Sequence, residues 1–188
     1  MTTLVEEASL LQDFIDANGW DYYFIGGIAV QVWGEPRLTR DLDLTIFTNL
    51  ENEPEFIQTI LTKYRPKFAG AAKFALTNRI LPVFAVSGIP IDIALGGFAD
   101  ISEPLRRSSF QEFSDRVSLK ICSADDLLIL KTIAGRPRDW PDIEAVIIKQ
   151  RLLDWDYIES SLSALMDYED LTERIAHLLT LREKYYQK

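Results

Sequence analysis

"YFIGGIAVQVWGEPRLTRDLDLTIF", residues 23–47, contains two features foreign to an ordinary hydrophobic core. Gly26 and Gly27 end one apolar run, and Asp41 and Asp43 sit one leucine apart inside another. Carboxylates in a β-rich hydrophobic segment are costly unless something positive meets them. Residues two apart on a strand share a face, with Cα atoms roughly 6–7 Å apart. Asp41 and Asp43 are therefore expected side by side, with Leu42, Leu44 and Ile46 turned toward a core. Two such carboxylates repel, and a divalent cation removes the conflict. Farther along, "PIDIAL", residues 90–95, offers Asp92 between inward-facing Ile91 and Ile93. If that strand lies beside the first, three carboxylates share one site and can hold two cations about 3.5–4 Å apart, as two-metal phosphoryl transfer requires. The alternative is a half-exposed strand whose polar positions happen to be aspartate. D-x-D alone is a weak motif, but aspartate is depleted in strands.

Working outward, "DYYFI" reads as a short strand and "IAVQVWG" as a helix, with the glycine pair between them. Glycines at such a turn let backbone N–H groups approach an anion at a helix N-terminus; an ordinary turn would need them too. Leu4, Ala8, Leu11 and Ile15 repeat with helical period over residues 3–18, and residues 53–64 continue the pattern. "KFALTNRILPVFAV", "SGIP" and "IDIAL" read as strands around a tight turn, closed by Gly96 and Gly97; "RVSLKI" adds a strand. After Cys122 the pattern becomes four successive helices, the first with Ser123 and Asp126 spaced as a capping box. The expectation is an α/β (α+β) fold: a mixed β-sheet core over residues 1–120 and a C-terminal helical region over residues 121–188 packed on it.

The bulk numbers narrow the function classes. At 188 residues and 47% hydrophobic, the chain can bury a sizeable core. No apolar run reaches the ~18 residues of a membrane span, and the acidic, amphipathic N-terminal segment is unlike a signal peptide. A single cysteine allows no internal disulfide and points to the cytoplasm. With one His and one Cys a structural zinc site is not expected, and His177 lies in a helical pattern suited to packing. The net charge of −9 argues against broad nucleic-acid binding. It leaves room for a local basic pocket drawn from Arg37, Arg40, Arg79, Arg106, Arg107, Lys131, Arg136 and Arg138, whose alternative is dispersed surface charge.

Taken together, G-G, then R-x-T-x-D-x-D (Arg37, Thr39, Asp41, Asp43), then the strand aspartate Asp92 resemble the DNA polymerase beta-type nucleotidyltransferase superfamily. "SADDLLILKTIAGRPRDWPDIEAV", residues 123–146, is similar to the helical segment of its small bacterial branch, the abortive-infection toxin-type and minimal nucleotidyltransferases. That resemblance implies an enzyme moving a nucleoside monophosphate from a triphosphate such as ATP to an acceptor hydroxyl, with release of pyrophosphate. Two Mg²⁺ ions would be bound by Asp41, Asp43 and Asp92, and Asp92 would also serve the general base. Gly26, Gly27, Arg37, Thr39, Arg40 and Lys131 would bind the nucleotide. The acceptor would be tRNA or another RNA, a protein or a small hydroxylated molecule, and the partner an antitoxin or toxin of a defence system. Many relatives carry serine after the first glycine; here it is Gly27, so contact with phosphate would be through backbone alone.

Two further readings stay open. Lys131 either reaches the triphosphate or snorkels to solvent from a packed helix. Asp139 reads as an N-cap, with Pro141 near the helix start and Asp142 as its N3 partner. Beside the enzyme stand two other possibilities: a nucleotide- or partner-binding module without turnover on the same scaffold, and a structural protein with aspartates on an ordinary polar face.

Overall fold

The computed structural model describes residues 3–48, 51–96, 102–165 and 171–186; Gly97, read above as part of a closing turn, lies outside them. The chain divides into two compact units, Met1–Ile28 with Leu38–Cys122 and Ala29–Arg37 with Ser123–Lys188.

The first unit holds a mixed sheet of seven strands: β1 (Tyr22–Ile25), β2 (Leu42–Phe47), β3 (Arg65–Pro66), β4 (Ile80–Phe84), β5 (Pro90–Gly96), β6 (Ser109–Ser114) and β7 (Val117–Ile121). They lie in the order β3-β4-β5-β2-β1-β7-β6. β2 pairs with β5 and β1 with β7 in parallel, and the other neighbours are antiparallel. Alternation explains the two strands that matter most. Leu42, Leu44 and Ile46 of β2 and Ile91, Ile93 and Leu95 of β5 are buried, while Asp43 and Asp92 fall on the opposite face and are half-buried. β1 is aromatic and β-branched throughout, and Tyr22, Tyr23 and Phe24 are all buried in mid-sheet.

Around the sheet lie α1 (Leu4–Ala17), the start of α2 (Gly26–Trp33), α3 (Glu53–Lys63), α4 (Ala71–Asn78) and α5 (Ser102–Arg107). α1 begins with a full capping box between Thr3 and Glu6. It is tied to β7 by the Gln12 amide, which donates to the Ser118 carbonyl at 2.9 Å and accepts from the Lys120 N–H at 3.0 Å.

The structure corrects the strand reading of "KFALTN". Residues 73–78 belong to α4, and the strand begins only at Ile80. Ala71 and Ala75, four apart, are the buried positions, as one face of a helix demands. Alanine and leucine also favour helix over strand. α5, β3 and β6 were not foreseen. In β6 Phe110 is 61% exposed and Phe113 only half-buried, so no clear hydrophobic pattern announces the strand.

The second unit contains α6 (Ala124–Ala134), α7 (Asp139–Lys149), α8 (Trp155–Ser163) and α9 (Leu171–Tyr185). α6 packs against each of the other three. Its cap is Ser123, whose Oγ accepts from the Asp126 N–H at 3.0 Å and donates to the Asp126 carboxylate at 2.5 Å. The imidazole of His177 stacks on Trp140, ring centroids 4.1 Å apart, so it packs on the helical surface. Trp155 is buried. Replacing Ser123 with Ala removes the cap of the central helix and is expected to lower stability by about 1 kcal/mol. Urea denaturation followed by circular dichroism measures this, and Ser123→Thr, which keeps the capping hydroxyl, should avoid most of the loss.

Candidate active site

The parallel register of β2 and β5 sets Asp43 opposite Asp92 on adjacent strands. Asp41 stands in the bend just before β2 rather than on the strand, because the ladder to β5 starts at Leu42. A hydrogen bond steadies it there: the Thr39 hydroxyl lies 3.0 Å from Asp41 Oδ1 and 3.3 Å from its carbonyl oxygen. One carboxylate oxygen from each of Asp41, Asp43 and Asp92 lies within 4.8 Å of the others, and all three residues are half-buried. Three converging oxygen donors with an open side fit a hard divalent cation such as Mg²⁺, which keeps positions for water and phosphate oxygens.

The glycine pair is required by close approach. Gly26 has φ +63, and a Cβ on it would lie 2.1 Å from Asp43 Oδ2. A Cβ on Gly27 would lie 2.4 Å from Thr39 Oγ1 and 2.7 Å from Thr39 Cβ. The first glycine therefore makes room for a carboxylate, and the second for the threonine that orients another. This gives the departure from glycine-serine a steric cause, since any side chain at position 27 meets Thr39. Gly26 also opens α2, whose N-terminal end carries partial positive charge.

Lys67 was missed by sequence reasoning. Its ammonium donates to Asp92 Oδ1 at 2.8 Å. No periodicity or motif marks it, because it follows a two-residue strand whose position only the sheet reveals.

Of the basic residues expected at the site, Arg40 belongs to the first unit and is exposed. Arg37 and Lys131 belong to the second unit, where both meet Asp142. Arg37 binds it in a fork, Nε to Oδ1 at 2.8 Å and a terminal nitrogen to Oδ2 at 2.9 Å. Lys131 is buried, with its ammonium 2.6 Å from Asp142 Oδ2 and 3.0 Å from Asp139 Oδ1. It does not snorkel to solvent. The capping expectation for Asp139 and Asp142 is also corrected. Both lie inside the first turn of α7, and the N-cap position falls to Arg138, which makes no side-chain cap bond. Asp139 Oδ2 accepts the Arg136 N–H at 3.2 Å, while its other oxygen serves Lys131. For a buried carboxylate, a bond from a charged ammonium outweighs a capping bond from a neutral backbone N–H.

The remaining arginines are distributed rather than pooled. Arg79 pairs with Glu53 and donates to the carbonyls of Leu95 and Gly96; Arg106 and Arg107 both hold Glu103; Arg136 and Arg138 are exposed.

Burial works to raise the Asp142 carboxyl, but hydrogen bonds and charge from Arg37 and Lys131 outweigh it and hold the group below its ordinary value of 3.8. A depressed folded value means the stabilisation is present above pH 3.8 and is lost as pH falls through the lower folded value. Asp142→Asn should therefore cost about 3 kcal/mol at neutral pH, as expected for breaking a buried pair. Denaturation midpoints measured across pH should show the gap to wild type narrowing below that range. At the glycine turn, Gly27→Ala should destabilise by about 1–3 kcal/mol through overpacking. Thermal melting should show part of the loss recovered when Thr39→Gly is added.

Residues 9–170 match the family described as "Nucleotidyl transferase AbiEii toxin, Type IV TA system". No curated protein matches the chain. Among solved structures, the antibiotic-resistance factor ANT(2'')-Ia superposes with a TM-score of 0.59 at 18% identity, covering 94% of this chain and 98% of that one. The lincomycin-bound lincosamide antibiotic adenylyltransferase LnuA gives 0.54 at 14% identity, covering 78% and 98%. An antigenic nucleotidyltransferase-like protein from Paracoccidioides brasiliensis gives 0.53 at 14% identity, covering 98% and 94%. At such identities the likeness is one of fold, and it agrees with the mixed sheet and its helices. The family match spans most of the chain, and on that ground the protein is a nucleotidyltransferase belonging to the AbiEii toxin family.

Proposed function

We propose that the chain moves a nucleoside monophosphate from a nucleoside triphosphate to an acceptor hydroxyl, releasing pyrophosphate, with Mg²⁺ held by Asp41, Asp43 and Asp92. The observation that supports this most is the convergence of those three carboxylates beside a glycine turn where a Cβ would collide with Asp43 or Thr39. Mg²⁺, when bound, neutralises phosphate charge and favours departure of pyrophosphate. The chain's own residues do the rest by positioning and electrostatics. Gly26 and Gly27 present backbone at the start of α2 to the phosphates. Thr39 keeps Asp41 oriented, and Asp92 takes the proton from the acceptor hydroxyl as that oxygen attacks the α-phosphorus. Arg40 serves the phosphates from the exposed bend. The family resemblance also assigns Arg37 and Lys131 to nucleotide binding; within the second unit each is paired with Asp142.

The acceptor belongs to one of three classes: RNA including tRNA, a protein, or a small hydroxylated molecule. The description of the family as a type IV toxin–antitoxin component favours a toxin role with a partner antitoxin. The small-molecule class has its precedent in LnuA, an adenylyltransferase of lincosamide antibiotics. The net charge of −9 weighs against a long RNA held by non-specific contacts. Among the described residues no helix is long and apolar enough to cross a membrane; the cytoplasmic location we propose rests on the single cysteine.

The test is incubation with each α-labelled triphosphate, Mg²⁺ and cell extract, followed by separation of RNA, protein and small molecules. Wild type should label one of these classes. Asp41→Asn and Asp43→Asn should lower transfer by about 10²-fold or more, with circular dichroism unchanged. An undiminished rate in either variant refutes the assignment. Magnesium-dependent thermal stabilisation by a triphosphate without any label transfer would indicate a binding module instead.

A further inference from the structure

The Lys67–Asp92 pair has no place in the chemistry above, yet the fold builds it deliberately. The Lys67 N–H donates to the Pro82 carbonyl at 3.0 Å, and Pro82 is the residue of β4 that pairs with Asp92 of β5. The backbone of the antiparallel β3–β4 pair thus aims the lysine across one strand at the third carboxylate. Its side chain is only 20% exposed, against 37% for Asp92, so the ammonium is held against the sheet rather than waving in solvent. A permanent unit charge 2.8 Å from one of three clustered carboxylates has two consequences. It relieves their mutual repulsion, and it repels any other cation that the same carboxylate would bind.

Building on the reading of Asp41, Asp43 and Asp92 as a divalent-cation site, we propose that Lys67 is its built-in counter-cation. The ammonium holds Asp92 in the metal-free protein and competes with a divalent ion for that carboxylate, so metal affinity in the absence of nucleotide is kept low. Lys67 is thus a positioning residue acting through Asp92. The role needs a positive charge at the end of a long side chain, which arginine preserves and methionine removes.

The experiment is titration of the metal-free protein with Mn²⁺ at pH 7 and without nucleotide, the free ion being counted by electron paramagnetic resonance. Lys67→Met should bind Mn²⁺ more tightly by on the order of ten-fold, as removal of a unit charge beside a doubly charged ion predicts. Lys67→Arg should stay near wild type. A purely structural lysine would leave Mn²⁺ affinity unchanged or weakened on removal, and either result in Lys67→Met overturns the proposal. Should Lys67→Met prove poorly folded by circular dichroism, Lys67→Gln carries the same expectation and the same refutation. Asp92→Asn separates the two layers of the argument. If it weakens Mn²⁺ binding while Lys67→Met does not tighten it, only the role of Lys67 fails. If Asp92→Asn leaves Mn²⁺ binding unchanged, the carboxylate site itself is refuted, and the counter-cation with it.

Discussion

The parallel pairing of β2 with β5 is the constraint on which the site depends. Because side chains alternate along a strand, a slip of one residue would carry Asp92 into the apolar layer and bring Ile91 or Ile93 out beside Asp43. The register is protected by what lies on the other face. Leu42, Leu44 and Ile46 meet Ile91, Ile93 and Leu95 in a fully buried ladder, which a one-residue slip would turn out of the core. The hydrophobic core thus specifies the carboxylate cluster: the free energy of burying the apolar face offsets the cost of gathering like charges on the opposite one.

Close packing then sharpens what the register begins. Gly26 gives way to the Asp43 carboxylate and Gly27 to the Thr39 side chain, so the turn that opens α2 is shaped around the acidic residues. Thr39 passes that restraint on to Asp41, which has no strand partner of its own. Each carboxylate is oriented by a different device: strand pairing with steric exclusion for Asp43, a hydroxyl for Asp41, and an ammonium for Asp92.

Charge is handled by pairing in both units. In the second, Lys131 would be an expensive burial alone, and Asp139 and Asp142 meet it directly, with Arg37 forked onto Asp142. Such a network holds its members in one geometry because removing any partner leaves a charge without compensation in a poorly solvated place. The basic residues that looked like a single pocket in sequence are instead matched locally. Arg79 goes to Glu53, Arg106 and Arg107 go to Glu103, and Arg37 goes to Asp142.

The sequence by itself determined the mixed α/β class, the helical character of the last third, and the family to which the chain belongs. Those follow from local periodicity and from a motif whose residues lie close together in the chain. Asp41, Asp43, Gly26 and Gly27 were legible for that reason, and Asp92 because its strand alternates so cleanly. The short range of such signals also explains the failures. "KFALTN" is apolar enough for a strand, and only the burial of Ala71 and Ala75 reveals a helix. β6 turns Phe110 to solvent and leaves Phe113 only half-buried, so it offers no clear pattern to read. Tertiary structure alone decided that Lys67 meets Asp92, that Lys131 is locked between two aspartates expected to cap a helix, and that Thr39 fills the space of a missing side chain at position 27. Each joins residues from separate elements, and such pairings are set by sheet order and helix packing rather than by any preference of the local chain.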